Sequence, residues 1–312
     1  MEGNKKPRAA IGEELEEDFF SQSIAPRDLV AVQAQLDKFV LRNQHKPIVL
    51  VTSGGTTVPL ERNTVRFIDN FSTGSRGAQM CQEFLAQSNE VCVVFLHRVG
   101  SILPYTSSLG SSHVDFNLLN KLASNSALEE SLRDAKTCGE MIQSGRLLAV
   151  PFVSVTEYLF KLRACAIALA ANSKLTVVLA AAVSDFFVCD QDMQEHKIQS
   201  GGGSAGLHLD LSPVPKMLGK LKHEWTSNKA LCVSFKLETD EAILIAKATG
   251  AIDKYGVDLV VANELHSRYN KVVLVEPKGK LTVVTKPDIG GGLIEVPLVH
   301  ALLERSKAFF LS

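Results

Sequence analysis

The chain has 312 residues, of which 46% are hydrophobic, and a formal net charge of −1 from 33 basic and 34 acidic side chains. That balance lacks the positive surface by which proteins bind polyanions, so we do not expect nucleic acid as a partner. No apolar run reaches the roughly 20 residues that span a bilayer, and the acidic start of the chain does not resemble a secretory signal. We therefore expect a cytoplasmic protein without a membrane partner.

The six cysteines are scattered along the chain, and several fall inside apolar strand or helix patterns. They form no C-x-x-C pair and have no neighbouring histidine at ligand spacing. We interpret them as small buried hydrophobic residues in a reducing compartment rather than as disulfides or zinc ligands. The six are Cys81, Cys92, Cys138, Cys165, Cys189 and Cys232.

The first part of the chain is polar and strongly acidic. We predict that residues 1–24 form a poorly ordered N-terminal segment, in which Phe19 and Phe20 are suited to dock on the folded body. After Pro26, apolar residues recur at helical spacing, and proline suits a first helical turn. We predict that residues 25–312 form a single α/β domain, which begins with this helix.

The stretch from residue 48 to residue 77 organises the rest of the chain. Residues 48–51 form an apolar, β-branched run that is typical of a strand buried on both faces. The turn at residues 53–56 and a second cluster at 72–77 contain glycines, which let backbone N–H groups approach a ligand closely. A helix is predicted at about residues 76–88, and the start of a helix is a natural anion site. The stretch is therefore predicted to be an active-site loop with an anion site at the start of its helix.

Strands and helices then alternate along the chain, which is typical of a parallel sheet with right-handed crossovers. Further strands are predicted at residues 91–96, 147–153, 175–180, 231–235 and 258–263. Further helices are predicted to begin at Ser126, Ser154, Ser212 and Asp240, and again after the glycines at 290–292. Residues 99–125 are predicted to be an irregular insertion, and residues 271–285 a hairpin. We predict a Rossmann-like three-layer α/β/α fold with a mostly parallel central sheet and an additional β-hairpin.

Three predicted strands end in small or polar residues. These ends are the turn that begins at Ser53, the segment from Ala181 to Asp185, and the segment from Phe235 to Asp240, with Asn263 beyond it. Each has an ordinary structural explanation as a turn, a helix cap or a loop hydrogen bond. Because ligands of open α/β sheets bind at the carboxyl ends of the strands, the set favours a nucleotide- or phosphate-binding cleft. The glycine-rich run at residues 201–206 is either a lid over that cleft or a plain flexible loop.

A dinucleotide-dependent dehydrogenase is the main competing interpretation. Its fingerprint is G-x-G-x-x-G between a strand and a helix, with an acidic residue about 20 positions further on. Here the first glycine turn leads to Pro59, and the second strand ends in His97 and Arg98. A use of NADP through Arg98 stays open. A P-loop is excluded, because no G-x-x-x-x-G-K-[ST] motif occurs.

Five motifs resemble the phosphopantothenoylcysteine synthetases, the phosphopantothenate–cysteine ligases of coenzyme A biosynthesis. They read TSGGTTVPLERNTVRFIDNFSTGSRG, LAAAVSDFFV, EHKIQS, VSFKLETD and VVANEL, in this order along the chain. The resemblance covers about residues 48 to 270. It is closest to the free-standing eukaryotic type, which lacks the flavin-binding decarboxylase domain that precedes the synthetase in many bacteria.

The resemblance implies a reaction in two steps. The carboxylate of 4′-phosphopantothenate attacks the α-phosphate of a nucleoside triphosphate, which gives an acyl-nucleotidylate and pyrophosphate. The amine of L-cysteine then displaces the nucleotide and forms 4′-phospho-N-pantothenoylcysteine. Such chemistry needs a phosphate cradle and a divalent cation such as Mg²⁺, whose ligands the sequence leaves unknown. It needs no protein nucleophile, which fits the absence of a Ser-His-Asp or Cys-His pattern.

The resemblance also implies roles for individual residues. Nucleotide-binding positions are Gly54, Ser72, Gly74, Gly77, Phe235 and Asn263. Phosphopantothenate-binding positions are Asn70, Ala181, Ala182, Asp185 and, from the neighbouring subunit, Arg66. Asn70 and Lys197 are the catalytic pair, since Asn70 donates to the acyl oxygen and Lys197 offsets negative charge during nucleotidylation. The family implied is a homodimer with shared active sites.

One departure from the family pattern bears on the choice of nucleotide. Many bacterial members continue the flap motif with two lysines, whereas this chain has Gln199 and Ser200 after Lys197 and Ile198. Bacterial members use CTP and eukaryotic members include ATP users, so we expect ATP, with CTP as the alternative. An NADP-dependent oxidoreductase is the alternative function, and a non-catalytic nucleotide sensor on the same fold is a third.

Overall fold

A computed structural model of the protein describes residues 19–106, 125–199, 207–288 and 292–311. The strands are β1 (Ile48–Ser53), β2 (Thr57–Pro59), β3 (Phe67–Asp69), β4 (Cys92–Arg98), β5 (Leu147–Phe152), β6 (Leu175–Leu179), β7 (Phe186–Phe187), β8 (Ser212–Pro213), β9 (Leu231–Glu238), β10 (Leu259–Glu264), β11 (Lys271–Glu276) and β12 (Lys280–Thr285). The helices are α1 (Leu29–Arg42), α2 (Ser75–Gln87), α3 (Asn125–Gln143), α4 (Val155–Leu169), α5 (Leu218–Lys220), α6 (Glu241–Tyr255) and α7 (Glu295–Leu311). A π-helical turn, Leu221–Trp225, continues α5.

The central sheet has eight strands in the order β12-β11-β10-β9-β6-β1-β4-β5. The six strands from β10 to β5 pair in parallel, while β11 and β12 form an antiparallel hairpin at one edge. Two small antiparallel pairs, β2–β3 and β7–β8, lie outside this sheet. The predicted Rossmann-like α/β fold with its additional hairpin is therefore confirmed.

Side chains of the parallel strands alternate between two faces of the sheet, so the protein has two cores. Leu50 and Val177 pack with α1, α4 and α6. Their neighbours Val51 and Val178 pack with α2 and α7. We call the side covered by α1, α4 and α6 the first face and the side covered by α2 and α7 the second face. The alternation decides on which side of the sheet each functional residue lies.

Two of the predicted helix caps are present. The Ser154 hydroxyl accepts a hydrogen bond from the backbone N–H of Glu157 at 3.1 Å, and the Glu157 carboxylate accepts one from the N–H of Val153. The Asp240 carboxylate accepts from the N–H of Ala242 at 2.9 Å. These bonds satisfy amides that a helix leaves unpaired at its start, which confirms α4 and α6 as predicted. Helix α3 begins at Asn125, one residue before the predicted cap Ser126.

The helix predicted to begin at Ser212 and Pro213 is wrong. These two residues form β8, which pairs with Phe187 and Phe186 of β7, and the helix begins only at Leu218. Proline suits both structures, and a second proline at 215 disfavours helical geometry in the residue before it. Pairing with a distant segment therefore made these residues a strand.

The expected insertion at 99–125 lies largely outside the described residues, and the glycine run at 201–206 lies wholly outside them.

Phe19 and Phe20 are packed against the body of the protein. The Phe19 ring lies 5.2 Å from that of Phe187, and the Phe20 ring lies 5.0 Å from that of Phe160. Only 4% of Phe19 is exposed. This docking agrees with the suggestion made from the sequence.

All six cysteines are free, and four of them are buried. Burial raises the pKa of both Cys165 and Cys232 to about 12, so these two thiols stay protonated at neutral pH. Cys138 and Cys189 are half-buried. The interpretation as small hydrophobic residues holds best for the four buried cysteines.

Within the described parts of the chain, no helix is long and apolar enough to cross a membrane.

Candidate functional site

The turn after β1 depends on two glycines that let the chain pass very close to other segments. Gly54 has a φ of +88°, and a Cβ there would lie 2.7 Å from the Cβ of Arg98. A Cβ on Gly55 would lie only 1.7 Å from the backbone oxygen of Asn70. Any side chain at either position would therefore displace the turn or its neighbour.

Backbone hydrogen bonds bring three of the predicted site residues together. The N–H of Ala182 donates to the oxygen of Gly54 at 2.8 Å, and the N–H of Thr56 donates back to Ala182 at 3.0 Å. The N–H of Asn70 donates to the oxygen of Thr56 at 3.1 Å. The first glycine turn, the carboxyl end of β6 and the segment after β3 thus form one hydrogen-bonded platform. Its members come from positions as far apart as 54 and 182.

The second glycine cluster forms the start of α2. Gly74 is the residue that precedes the helix, and its φ of +78° favours glycine. Its oxygen accepts from the Ser53 hydroxyl at 2.9 Å, and a Cβ on Gly77 would lie 2.5 Å from the Cβ of Ser53. The helix start therefore lies directly against the end of β1. Gly74 has no side chain to cap the helix, and the N–H of Ser75 donates to the Thr73 hydroxyl at 3.4 Å. The dipole and the next amides of the first turn can still attract an anion.

Phe235 and Asn263 lie on the same face of the sheet as α2. Phe235 packs against the second-face core, and Asn263 follows Val261 of that core by two residues along β10. The Asn263 Nδ2 donates to the oxygen of Val261 at 3.2 Å, whereas its buried Oδ1 has no hydrogen-bond partner among the described residues. This buried oxygen lacks a partner in the described residues, and the nucleotide-binding role of Asn263 stays a prediction.

Arg76, in the first turn of α2, links the helix to two more distant segments. Its Nη2 donates to the oxygen of Arg268 at 2.5 Å, and its Nη1 lies 3.4 Å from Glu295 Oε1 at the start of α7. Burial lowers the pKa of Arg76 and raises the pKa of Glu295. Sequence reasoning missed this pair. The only signal was a cation in the first turn of a helix, where the macrodipole disfavours one.

On the first face, the carboxyl ends of β6 and β9 border a cavity of about 270 Å³. Ala181, Ser184 and Ser234 line it together with Lys216, and the predicted nucleotide residue Phe235 borders it as well. Lys216 also forms an ion pair with Asp185, one of the predicted phosphopantothenate residues. Sequence reasoning did not single out Lys216.

Arg66 and Ile198, the neighbour of Lys197, both bind a buried glutamate that sequence reasoning missed. Glu61 Oε1 accepts from Arg66 Nη1 at 2.8 Å and from the N–H of Ile198, and the same Nη1 donates to the Ile198 oxygen. Burial works to raise the pKa of Glu61, but hydrogen bonds from Arg66 and Ile198 outweigh it and hold that pKa below its usual value. Arg66 is 38% exposed, and Lys197 beside Ile198 is exposed.

The twelve predicted site residues therefore fall into three groups. Gly54, Asn70, Ala181 and Ala182 meet at the platform, with Asp185 beside them. Ser72, Gly74, Gly77, Phe235 and Asn263 lie at the start of α2 or on the second face. Arg66 and Lys197 lie on the two segments that Glu61 joins, and within the described chain neither side chain is hydrogen-bonded to the platform.

The described residues contain no group of three histidine, cysteine, aspartate or glutamate side chains placed to hold a metal ion. Mg²⁺ is commonly bound through one or two carboxylates and the phosphates of a substrate, with water completing its shell. The use of Mg²⁺ therefore stays a prediction from the resemblance.

Comparisons with known proteins agree with the motifs. Residues 158–296 match the family described as DNA/pantothenate metabolism flavoprotein C-terminal domain. Phosphopantothenate–cysteine ligase 1 of Oryza sativa subsp. japonica is 43% identical over 286 residues, which cover 87% of this chain and 87% of that protein. Phosphopantothenate–cysteine ligase CAB2 of Saccharomyces cerevisiae is 43% identical over 256 residues, which cover 75% of this chain and 69% of that protein.

The solved structures include a close match of the whole fold. A Cab2 variant in complex with phosphopantothenate-cysteine superposes with a TM-score of 0.84 at 38% identity, covering 94% of this chain and 98% of that chain. The identity, the coverage and the fold all agree with the resemblance carried by the five motifs. The chain therefore belongs to the phosphopantothenate–cysteine ligase family.

Proposed function

We propose that this protein joins 4′-phosphopantothenate to L-cysteine in coenzyme A biosynthesis, with an acyl-nucleotidylate intermediate and release of pyrophosphate. The observation that carries the proposal is the platform that brings Asn70, Gly54 and Ala182 together beside the open start of α2. It is supported by relatives named phosphopantothenate–cysteine ligase and by the Cab2 variant that binds phosphopantothenate-cysteine.

In the first step, a carboxylate oxygen of phosphopantothenate bonds to the α-phosphorus, and the bond from that phosphorus to pyrophosphate breaks. The start of α2 and the glycine turns hold the phosphates through backbone N–H groups. Asn70 is suited to steady the acyl oxygen, because its backbone is fixed between Thr56 and Gly55 while its side chain stays partly exposed. Mg²⁺ that arrives on the triphosphate would neutralise charge on its phosphates.

In the second step, the amine nitrogen of cysteine bonds to the acyl carbon, and the bond from that carbon to the nucleotide oxygen breaks. The nucleoside monophosphate leaves with the electron pair, and the neutral amine gives up one proton as the amide forms. We assign Lys197 to charge compensation in the first step, which requires the segment after Glu195 to fold over the phosphates. No protein nucleophile takes part.

We propose ATP as the nucleotide. Gln199 stands two positions after Lys197, where bacterial CTP-dependent members of the family carry a further lysine, and the two ligases compared above are eukaryotic. The oxidoreductase alternative relied on Arg98 to bind NADP. That guanidinium donates to the Asp69 carboxylate at 2.6 Å, so it is already engaged.

We also propose a homodimer whose subunits share their sites. The β3 segment presents three apolar side chains to solvent, since Val65 and Phe67 are each 52% exposed and Phe71 is 88% exposed. A cluster of this kind marks an interaction surface in a soluble protein. The cluster lies on both sides of Arg66 along the chain. If two copies pair through it, each Arg66 can reach the phosphopantothenate bound to the partner.

The proposal is tested by incubating the protein with phosphopantothenate, cysteine and either ATP or CTP, and following products by mass spectrometry. We expect phosphopantothenoylcysteine, pyrophosphate and nucleoside monophosphate in equal amounts, with ATP the better substrate. Absence of the amide product with both nucleotides would refute the ligase. Consumption of NADPH with carbonyl compounds would instead support the oxidoreductase.

A further inference from the structure

Two charged side chains are buried together where the start of α2 packs against the start of α7. Arg76 lies in the first turn of α2, two residues after Gly74, and Glu295 is the first residue of α7. The Arg76 side chain is 14% exposed and that of Glu295 is 2% exposed. Arg76 Nη1 and Glu295 Oε1 lie 3.4 Å apart, yet neither atom has a hydrogen-bond partner among the described residues. Because buried ionic groups without hydrogen bonds cost free energy, this pair is an inefficient way to join two helices.

The two partners differ in how well they suit their helices. The start of a helix carries a partial charge of about +0.5, which favours Glu295 at the start of α7 and disfavours Arg76 at the start of α2. Burial raises the pKa of Glu295 and Arg76 acts in the opposite direction, while Glu83 and Lys286 add smaller effects of opposite sign. Since Glu295 offsets the charge of Arg76, the partial positive charges of the two helix starts remain beside Gly74.

Arg76 is fixed inside the protein by the loop that follows the predicted nucleotide residue Asn263. Its Nη2 donates to the backbone oxygen of Arg268 at 2.5 Å. Arg268 in turn donates from Nη1 to the oxygen of Leu265 at 2.9 Å. With its guanidinium held in this way and largely buried, Arg76 acts on a bound ligand through its charge rather than by contact.

We propose that Arg76 is a positioning residue that strengthens binding of the nucleotide triphosphate, and that Glu295 is the counter-ion that limits this effect. The inference rests on the proposed ligase function. A triphosphate at the start of α2 brings several negative charges, which make the otherwise unfavourable position of Arg76 favourable. Glu295 opposes the same binding, because its negative charge lies beside Arg76.

The test measures binding of ATP with Mg²⁺ to the intact protein by isothermal titration calorimetry at about pH 8, where carboxyl groups are ionised. CTP takes its place if the wild type binds only CTP. The variants are Arg76→Gln, Arg76→Lys, Glu295→Gln and the double variant Arg76→Gln/Glu295→Gln. The double variant removes both buried charges together, so neither is left without its partner. The control is Lys229→Gln, at an exposed position just before β9, and urea denaturation shows which variants are folded.

We expect Arg76→Gln to raise the Kd for the nucleotide about tenfold, as for the loss of one unit charge near a bound anion. Glu295→Gln should lower that Kd about threefold or more, because the charge of Arg76 is no longer offset. In the double variant the two effects oppose each other, and the Kd should return to within about threefold of the wild-type value. Arg76→Lys keeps the charge and should bind the nucleotide nearly as well as the wild type. Lys229→Gln should match the wild type.

A pair that only joins α2 to α7 gives a different pattern. Glu295→Gln would then weaken nucleotide binding as Arg76→Gln does, and the double variant would not recover it, which would overturn the inference. An unchanged Kd in folded Arg76→Gln would overturn it as well. If the wild type binds neither ATP nor CTP, the proposed function itself fails, and this inference fails with it.

Discussion

Residues of the site are fixed mainly by contacts between backbones and very small side chains. Gly55 touches the backbone oxygen of Asn70, and Gly77 touches Ser53. Through these contacts, the end of β1 packs directly against the start of α2 and against the segment that contains Asn70. The two positions have no side chain because another part of the chain occupies the space.

The Gly77 contact predicts a loss of stability on adding one methyl group. In Gly77→Ala the new Cβ would lie 2.5 Å from Ser53 Cβ, in a place with no room to move. Overpacking of this kind costs about 1–3 kcal/mol of the free energy of unfolding, measured by urea denaturation. The matched control is Gly250→Ala in α6, where nothing lies within 4 Å. That change should be neutral or stabilising by up to about 1 kcal/mol. Equal effects of the two substitutions would contradict the packing described.

Sequence reasoning selected residues that belong to contiguous motifs and missed those paired over long distances. Gly54, Asn70 and Ala182 stand in recognisable runs, and the structure brings them together. Glu61 and Lys216 were not predicted, because their partners Ile198 and Asp185 are 137 and 31 positions away. Only the tertiary fold reveals such pairs.

At the scale of elements, the β2–β3 pair is joined to the segment around Ile198 through the Glu61 carboxylate. Besides Arg66 and Ile198, this carboxylate accepts from the backbone N–H of Val65 at 3.2 Å. None of the Glu61 side chain is exposed to solvent. The ionised carboxylate therefore holds together two segments that carry Arg66 and Lys197.

This arrangement predicts a pH dependence of stability. Because the pKa of Glu61 is lower in the folded protein than its usual 4.5, the ionised group stabilises the fold above that value. The contribution is lost as the pH falls below 4.5 and through the lower folded pKa. In urea denaturation, the wild type should lose more stability on acidification than Glu61→Gln. The exposed Glu140→Gln variant should follow the wild type, and identical acid profiles for all three would contradict this role.

Elements differ in how well their sequence determines them. Strands β1, β4, β6, β9 and β10 are continuous apolar runs, and α4 and α6 begin at strong capping residues, so local pattern and tertiary structure agree. Ser212 and Pro213 carry a start signal that is equally compatible with a short strand. There the pairing with β7 overrode the local preference, and no local sequence pattern reveals that pairing.

At the scale of the whole molecule, the proposed homodimer makes each site depend on two chains. Its support is the exposed apolar cluster of Val65, Phe67 and Phe71 around Arg66. Two copies related by a two-fold axis would bury this surface and give each site one Arg66 from the partner. Light scattering at micromolar concentration should give the mass of a dimer, and Phe71→Asp should shift it towards the monomer.

Shared sites predict recovery of activity in mixed dimers. Arg66→Ala and Asn70→Ala should each be nearly inactive alone. When the two are unfolded, mixed in equal amounts and refolded, random pairing makes about half of the dimers mixed, each with one intact site, so about a quarter of wild-type activity should return. A mixture no more active than the separate variants would mean that Arg66 acts within its own chain or outside the site.

The central claim is that the phosphopantothenate carboxylate becomes bonded to the α-phosphate of the nucleotide. Phosphopantothenate labelled with oxygen-18 in its carboxylate tests this directly, with the nucleotide products analysed by mass spectrometry. The account predicts that one labelled oxygen appears in each nucleoside monophosphate released during amide formation. Unlabelled monophosphate, or the label in inorganic phosphate alongside a nucleoside diphosphate, would contradict it.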